Sequence, residues 1–362
     1  MKNTKTILIA PLDWGLGHAT RCMPIINLLL EKKHRIIIAG NGDSFYLLKE
    51  QYPALTFYEL PGYNITYATG KNAAFYALLQ TPKIIKTINK EHEVIKQIVA
   101  IEKVDLLISD NRYGVWHHKV KSIIICHQIA LQAPNVFKWT NSFFLAMHLK
   151  RLQKFDTLWI PDEPDENNLS GSLSHQISFG MSYAYIGIQS RFNHYLPQPS
   201  FVQAISFSIL VVLSGPEPQR TYLEKKLIEQ LSSIKAEVLL VQGKTATFLQ
   251  TTQNNITVVS YLSANDMYCA LQKATVIICR SGYSTIMDLA VLGKKAILIP
   301  TQGQTEQEYL AKKLHKKEMA IACYQDKFDI QDAIQNLAKI KGFSKYTANT
   351  EKLETEIQRL LV

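Results

Sequence analysis

The sequence predicts an α/β protein with two parallel-sheet domains, and three observations carry that expectation. Short apolar, β-branched runs alternate with longer helical patterns over nearly the whole chain. Several runs are continuous, as in Leu106-Leu107-Ile108 and Val276-Ile277-Ile278, which suits strands covered on both faces. The length, 362 residues of which 47% are hydrophobic, is enough for two cores of ordinary domain size.

In order, strands are expected at 6–11, 35–39, 55–59, 104–109, 122–127 and 157–161. A second set follows at 206–213, 237–241, 256–259, 275–279, 296–300 and 319–322. Twelve strands are many for one open sheet. The periodicity breaks within 189–199, where Arg191, Asn193, His194, Pro197, Gln198 and Pro199 read as a linker. The expectation is therefore one Rossmann-like domain over 1–190 and a second over 200–345. The last helical pattern, 346–361, is left to pack on either domain, a return to the first being one outcome.

Composition excludes several classes. Cys22, Cys126, Cys269, Cys279 and Cys323 are odd in number and form no CxxC pair. That argues against a disulfide framework or zinc knuckle and for a reducing compartment. No apolar run approaches the roughly 18 residues of a spanning helix. The first eleven residues lack the h-region of a signal peptide, so a soluble, cytoplasmic protein is expected. Neither Asp-x-Asp, HxxxH nor HExxH occurs, and no metal or cofactor is expected. GxSxG and GxxxxGK[ST] are missing too, which sets aside ordinary serine hydrolases and P-loop NTPases.

Net charge is +10, and residues 60–154 hold 13 basic against 5 acidic side chains, a net of +8. Such a patch suits phosphates or an anionic membrane surface. The basic residues are not interleaved with aromatics, which disfavours nucleic acid. Within 63–96, Tyr67, Phe75, Tyr76, Leu78, Leu79, Ile84 and Ile85 accompany Lys71, Lys83, Lys86, Lys90 and Lys96. This mix fits either a surface lying on an anionic bilayer or a packing helix with a lysine face.

Four segments at expected strand ends can carry chemistry. After the first strand, Gly15 and Gly17 form a tight turn that leads through His18 and Arg21 into a helix. Thr20 occupies the third glycine position of a dinucleotide fingerprint, which weakens an NAD reading. At 279–288, Arg280, Ser281, Gly282, Ser284 and Thr285 crowd a helix start as a phosphate cradle, with Asp288 one turn on for a ribose diol. At 300–309, Gln304, Gln307 and Glu308 match the hydrogen-bonding demand of sugar hydroxyls. At 213–220, Ser214 and Gly215 form a small-residue turn, with Arg220 as a diphosphate contact. In the first half, Asp110, Arg112 and His127 also fall at strand ends, as a general base or as acceptor contacts.

The order GxGH, then Cys-Arg-Ser-Gly-x-x-Thr-x-x-Asp, then Pro-x-Gln-x-x-x-x-Gln-Glu-Tyr resembles the GT-B glycosyltransferases. The likeness is to the MurG-type N-acetylglucosaminyltransferases and their family-28 C-terminal domain, over most of 206–322 and the first 30 residues. It implies two Rossmann-like domains facing across a cleft, the donor held by the second and the acceptor by the first. It also implies a sugar-reading pair at Gln307 and Glu308, and main-chain recognition of uracil at Tyr261 and Leu262. Glu308 and Asp288 depart from the family's residues, as do Pro216 and Pro218 in the diphosphate turn. The expected activity is inverting, metal-independent transfer of a hexosyl group from a nucleotide sugar, UDP-linked, to an acceptor that can be lipid-linked. In it His18, or else Asp110, deprotonates the acceptor hydroxyl. The stretch 15–22 is also similar to the UDP-sugar hydrolase of pseudaminic acid biosynthesis, which makes hydrolysis the alternative, with a non-catalytic nucleotide-sugar-binding protein as a third reading.

Overall fold

The structure is a computed structural model that describes residues 4–63, 80–130, 141–175, 179–244, 247–343, 346 and 350–361. Tyr67, Lys71, Phe75, Tyr76, Leu78 and Leu79 of the expected membrane-facing stretch lie outside the described residues. The chain divides into two compact units, Met1–Asn193 with Asn349–Val362, and His194–Ala348.

In unit 1, β1 (Thr6–Pro11), α1 (Gly17–Glu31), β2 (Arg35–Gly40), α2 (Gly42–Gln51) and β3 (Thr56–Glu59) come first. After them run α3 (Thr81–Glu102), β4 (Leu106–Asp110), β5 (Lys121–Ile125), α4 (Asn141–Leu152), β6 (Thr157–Ile160) and β7 (Tyr183–Tyr185). The strands form one parallel sheet in the order β3-β2-β1-β4-β5-β6-β7. Its two faces follow the period-2 geometry of a strand. Ile7 and Ile9 pack with Cys22, Ile25, Ile26 and Leu29 of α1, and Leu8 and Ala10 pack with Ile95, Ile98 and Val99 of α3. Burial on both faces is why these strands read as unbroken apolar runs.

Unit 2 contains β8 (Ile209–Val212), α5 (Gln219–Leu231), β9 (Val238–Val241), β10 (Gln250–Gln253), β11 (Ile256–Val259) and α6 (Ala264–Lys273). It continues with β12 (Val276–Cys279), α7 (Tyr283–Val291), β13 (Ile297–Leu298), α8 (Thr305–Lys316), β14 (Ile321–Ala322) and α9 (Ile330–Leu337). The order is β10-β11-β9-β8-β12-β13-β14, with β10 antiparallel to β11 and the other pairs parallel. The last helix, α10 (Glu351–Leu361), is counted with unit 1. Its Leu353, Ile357 and Leu360 join the core cluster formed by β1 and α1.

The α/β class is as the sequence predicts, with two differences at element level. β7 and β10 were not expected: Tyr183–Tyr185 is half exposed and Gln250–Gln253 fully exposed. Both are edge strands, which need no apolar run because one side lacks a neighbour. The strand expected at 296–300 shrinks to Ile297–Leu298, Pro300 having no N–H for the ladder. Among the described residues, no helix is long and apolar enough to cross a membrane.

Candidate functional site

The register of unit 1 builds the first locus. Pro11 pairs with Asp110, and Asp110 with Ile125, so the ends of β1, β4 and β5 lie side by side. The turn after β1 carries Gly15 at φ +75°, a conformation that side chains rarely adopt, and α1 begins at Gly17. His18 and Arg21 thus sit on the first turn of α1. Asp110 ends β4, and His127 follows β5.

Arg21 is the hub of this cluster. Its Nε donates to Asp110 Oδ2 at 2.6 Å, and its Nη2 pairs with Asp110 Oδ1. Nη2 also donates to His18 Nδ1 at 2.7 Å, and Nη1 to His127 Nδ1 at 3.0 Å. A guanidinium has no acceptor, so both imidazoles accept through Nδ1, which places the proton of each neutral ring on Nε2. Asp110 Oδ1 lies 3.2 Å from the same His18 nitrogen.

Burial, then the Arg21 charge, lower the His18 pKa below its ordinary value despite the nearby carboxylate. For Asp110, burial acts to raise the pKa. Arg21 and then His18 outweigh it and hold the carboxyl well below the usual range. A fully buried carboxylate with both oxygens on Arg21 is a poor proton acceptor for substrate. Asp110 is thus engaged within the fold by Arg21 and lies beside His18.

Arg112, expected as an acceptor contact, is engaged inside the fold. It is completely buried, its Nε donates to Glu91 Oε1 at 2.5 Å, and its remaining nitrogens bond Pro11 O, Asn41 Oδ1 and Pro61 O. Glu91 Oε2 accepts from Tyr63 Oη at 3.0 Å and Gly114 N at 2.8 Å. Arg112 ties α3 to the strand ends, with four of its five N–H donors engaged in these bonds.

In unit 2, Val212 pairs with Cys279, and Cys279 with Leu298. The loops after β8, β12 and β13 are therefore neighbours at one sheet edge: Ser214-Gly215, Ser281-Gly282 and Thr301–Gln304 in turn. Gly215 has φ +100°. Gly282 is the N-cap of α7 and contributes no side-chain cap, which leaves that end to the backbone amides and the helix dipole. Ser284 and Thr285 are on the first turn of α7, and Asp288, buried, is one turn further.

Several predicted donor contacts are occupied within the protein. The Ser281 hydroxyl donates to Gln307 O at 2.8 Å and is fully buried. Gln307 Oε1 accepts from Thr301 N at 2.8 Å, and its Nε2 donates to Gln304 Oε1 at 2.6 Å. Glu308 Oε1 accepts from Gly303 N at 2.8 Å. These three side chains shape the 301–304 loop as the molecule stands. Arg220 pairs with Glu217, lies 3.6 Å from Glu224 and donates to Gln242 O at 3.1 Å, so its charge is balanced locally.

Arg280 is different again. Its guanidinium donates to Ile299 O, Pro300 O and Gln219 O, each at 3.0–3.1 Å. Among the described residues it has no carboxylate partner, and its buried Nε–H has no acceptor. Burial draws its pKa down to about 10, which leaves it charged at neutral pH.

Tyr261 and Leu262 follow β11 and are half-buried. The Phe248 ring meets Tyr261 edge-on at 5.8 Å and is 44% exposed, and Phe201 meets Phe248 at 5.7 Å. Sequence reading passed over Phe248 and Thr301. Phe248 is marked by no motif and Thr301 fills an unspecified position of the 300–309 motif, so each is recognised only by what stands next to it in space. No group of three or more His, Cys, Asp or Glu side chains among the described residues is placed to share a metal ion.

Comparison with known proteins agrees with this geometry. The family described as the glycosyltransferase family 28 C-terminal domain matches residues 210–360. A UDP-N-acetylglucosamine--N-acetylmuramyl-(pentapeptide) pyrophosphoryl-undecaprenol N-acetylglucosamine transferase of Alkaliphilus oremlandii (strain OhILAs) is 30% identical over 158 residues. The match takes in 38% of this chain and 43% of that protein, less than half its length. Among solved structures, the glycotransferase of kitacinnamycin superposes with a TM-score of 0.68 at 13% identity over 100% of both chains. Arabidopsis thaliana UGT89C1, complexed with UDP-L-rhamnose, gives 0.64 at 13% over 100% of both, and Acinetobacter baumannii MurG 0.54 at 15% over 99% of both. Residues 210–360 thus match the glycosyltransferase family 28 C-terminal domain, in a chain whose fold is that of the GT-B glycosyltransferases.

Proposed function

We propose that this chain is an inverting, metal-independent glycosyltransferase that moves a hexosyl group from a UDP-sugar to a lipid-linked acceptor. The observation that carries the reading is the trio of adjacent loops in unit 2, within the segment that matches the family 28 domain. Backbone amides at the start of α7 and the buried Arg280 charge favour an anionic group there. Positive potential at that point stabilises the diphosphate as the bond from its oxygen to the anomeric carbon breaks. The name of the Alkaliphilus relative supports a UDP-linked donor and an undecaprenol-linked acceptor.

His18 takes the proton of the acceptor hydroxyl at Nε2 as the new bond to the anomeric carbon forms. For Nε2 to accept, the ring proton first has to move from Nε2 to Nδ1, where His18 exchanges the hydrogen bond from Arg21 for one donated to Asp110 Oδ1, 3.2 Å away. The lowered pKa keeps the imidazole neutral and able to accept at neutral pH. Lys83, Lys86 and Lys90 are exposed on α3 beside the exposed Ile85, a face that suits the anionic membrane surface where a lipid-linked acceptor resides.

The test is a binding screen of UDP-, GDP- and dTDP-sugars by thermal shift, followed by product analysis with and without lipid extract. Sugar is expected on a lipid product only when extract is present. Rapid release of sugar to water alone would replace transfer by hydrolysis.

A further inference from the structure

We propose that Thr301 binds the nucleotide-sugar donor, its hydroxyl donating to a phosphoryl oxygen of the diphosphate. The inference deepens the reading above and rests on it. Thr301 begins the loop after β13 and is 2% exposed. Its amide donates to Gln307 Oε1 and its carbonyl accepts from Gln304 N, so the main chain is satisfied and fixed. The hydroxyl is not: Oγ1 is buried with no hydrogen-bond partner among the described residues. A buried hydroxyl left unpaired keeps the cost of its lost hydration, which a valine of the same shape would avoid.

Two neighbours indicate the chemistry of the missing partner. A Cβ built at Gly215 would stand 3.4 Å from Thr301 Oγ1 and meet nothing else within 4 Å. The hydroxyl therefore lies against the Ser214-Gly215 turn at the one position where that turn has no side chain, and Gly215 is exposed. On the adjoining strand end, Arg280 carries a buried positive charge that has, among the described residues, no carboxylate partner and no acceptor for its Nε–H. It donates to the carbonyl of Pro300, the residue before Thr301. A hydroxyl donor beside an unbalanced buried cation and an open glycine turn calls for an anionic oxygen, which a nucleoside diphosphate supplies and a neutral sugar does not.

The experiment compares wild type, Thr301→Val and Thr301→Ser by thermal midpoint without ligand and by UDP affinity from calorimetry. Thr301→Val is expected to bind UDP about ten-fold or more weakly, in line with loss of a charge-assisted hydrogen bond. Thr301→Ser should stay within about three-fold of wild type. Without ligand, the midpoint of Thr301→Val should equal or exceed that of wild type. A valine variant that binds UDP as tightly as wild type overturns the assignment, as does one whose ligand-free midpoint falls, because the hydroxyl would then have a partner inside the fold. If UDP, GDP and dTDP all fail to bind wild type, the donor reading itself is lost, a result plainly distinct from an effect confined to the variant.

Discussion

Three of the buried arginines, Arg21 early in α1 and Arg112 and Arg280 just past strand ends, do three different things, and the difference lies in their partners. Arg112 has Glu91, Arg21 has Asp110 and two imidazoles, and Arg280 has, among the described residues, only carbonyl oxygens. In the sequence each is one basic residue near a small-residue turn. Which of them is balanced depends on register, which brings together residues 89 positions apart in the case of Arg21 and Asp110. The position of His18 at a strand end could be read; the hydrogen bonds that fix its tautomer could not.

A pH dependence follows from that cluster. The folded state resists protonating His18, whose pKa is lowered, while the unfolded chain takes a proton near 6.5. Stability contributed here is lost as pH falls from about 6.5 toward the lowered value. Asp110 has the sign of a depressed carboxylate: its contribution is present above about 4 and lost as the pH drops toward its native value. The urea midpoint of wild type is therefore expected to decline between about pH 7 and pH 5.5, and His18→Asn to flatten that decline. A midpoint equally steep in the variant would mean the imidazole is not held neutral. If His18 is the base as proposed, the acid limb of transfer activity falls below 6.5 for the same reason.

At the scale of elements, the central strands were readable because parallel strands buried on both faces have to be apolar at every position, as Ile7 to Ala10 and Ile277 to Cys279 are. β7 and β10 escaped notice because an edge strand can be held by main-chain bonds to one neighbour, and Gln250 to Gln253 do so with no apolar side chain at all. α10 was legible as an amphipathic pattern, whereas the sheet it lies on is a tertiary fact. Leu353, Ile357 and Leu360 place three apolar side chains on one helix face, and Leu353 and Ile357 are completely buried. Ile357→Ala is expected to destabilise unit 1 by about 2–5 kcal/mol, the usual range for truncating a buried aliphatic side chain. Chemical denaturation followed by a probe within unit 1, such as the buried Trp159, would measure it. A cost below about 1 kcal/mol would mean the helix is a loose appendage.

Over the whole molecule, a net charge of +10 is concentrated so that residues 60–154 account for +8. The exposed part of that excess includes Lys83, Lys86 and Lys90 on α3. Each lysine near an anionic bilayer contributes about 1 kcal/mol, and the attraction fades with salt over a Debye length. The protein should therefore sediment with phosphatidylglycerol vesicles at low salt and not with phosphatidylcholine alone. A Lys83→Glu, Lys86→Glu, Lys90→Glu variant should lose most of that binding while keeping its affinity for UDP. Equal sedimentation with neutral vesicles would remove electrostatics from the account.

Unit 1 is discontinuous: its sheet is made from residues up to 193, and α10 comes from 351–361. During synthesis the ribosome therefore exposes the β1–α1 face of the sheet long before the helix that covers part of it exists, with all of unit 2 translated in between. At roughly 5–20 residues per second, that interval lasts on the order of ten seconds or more. For that time unit 1 is an incomplete core in need of shelter, whereas unit 2, formed from one uninterrupted stretch, can finish folding while the nascent chain is still attached.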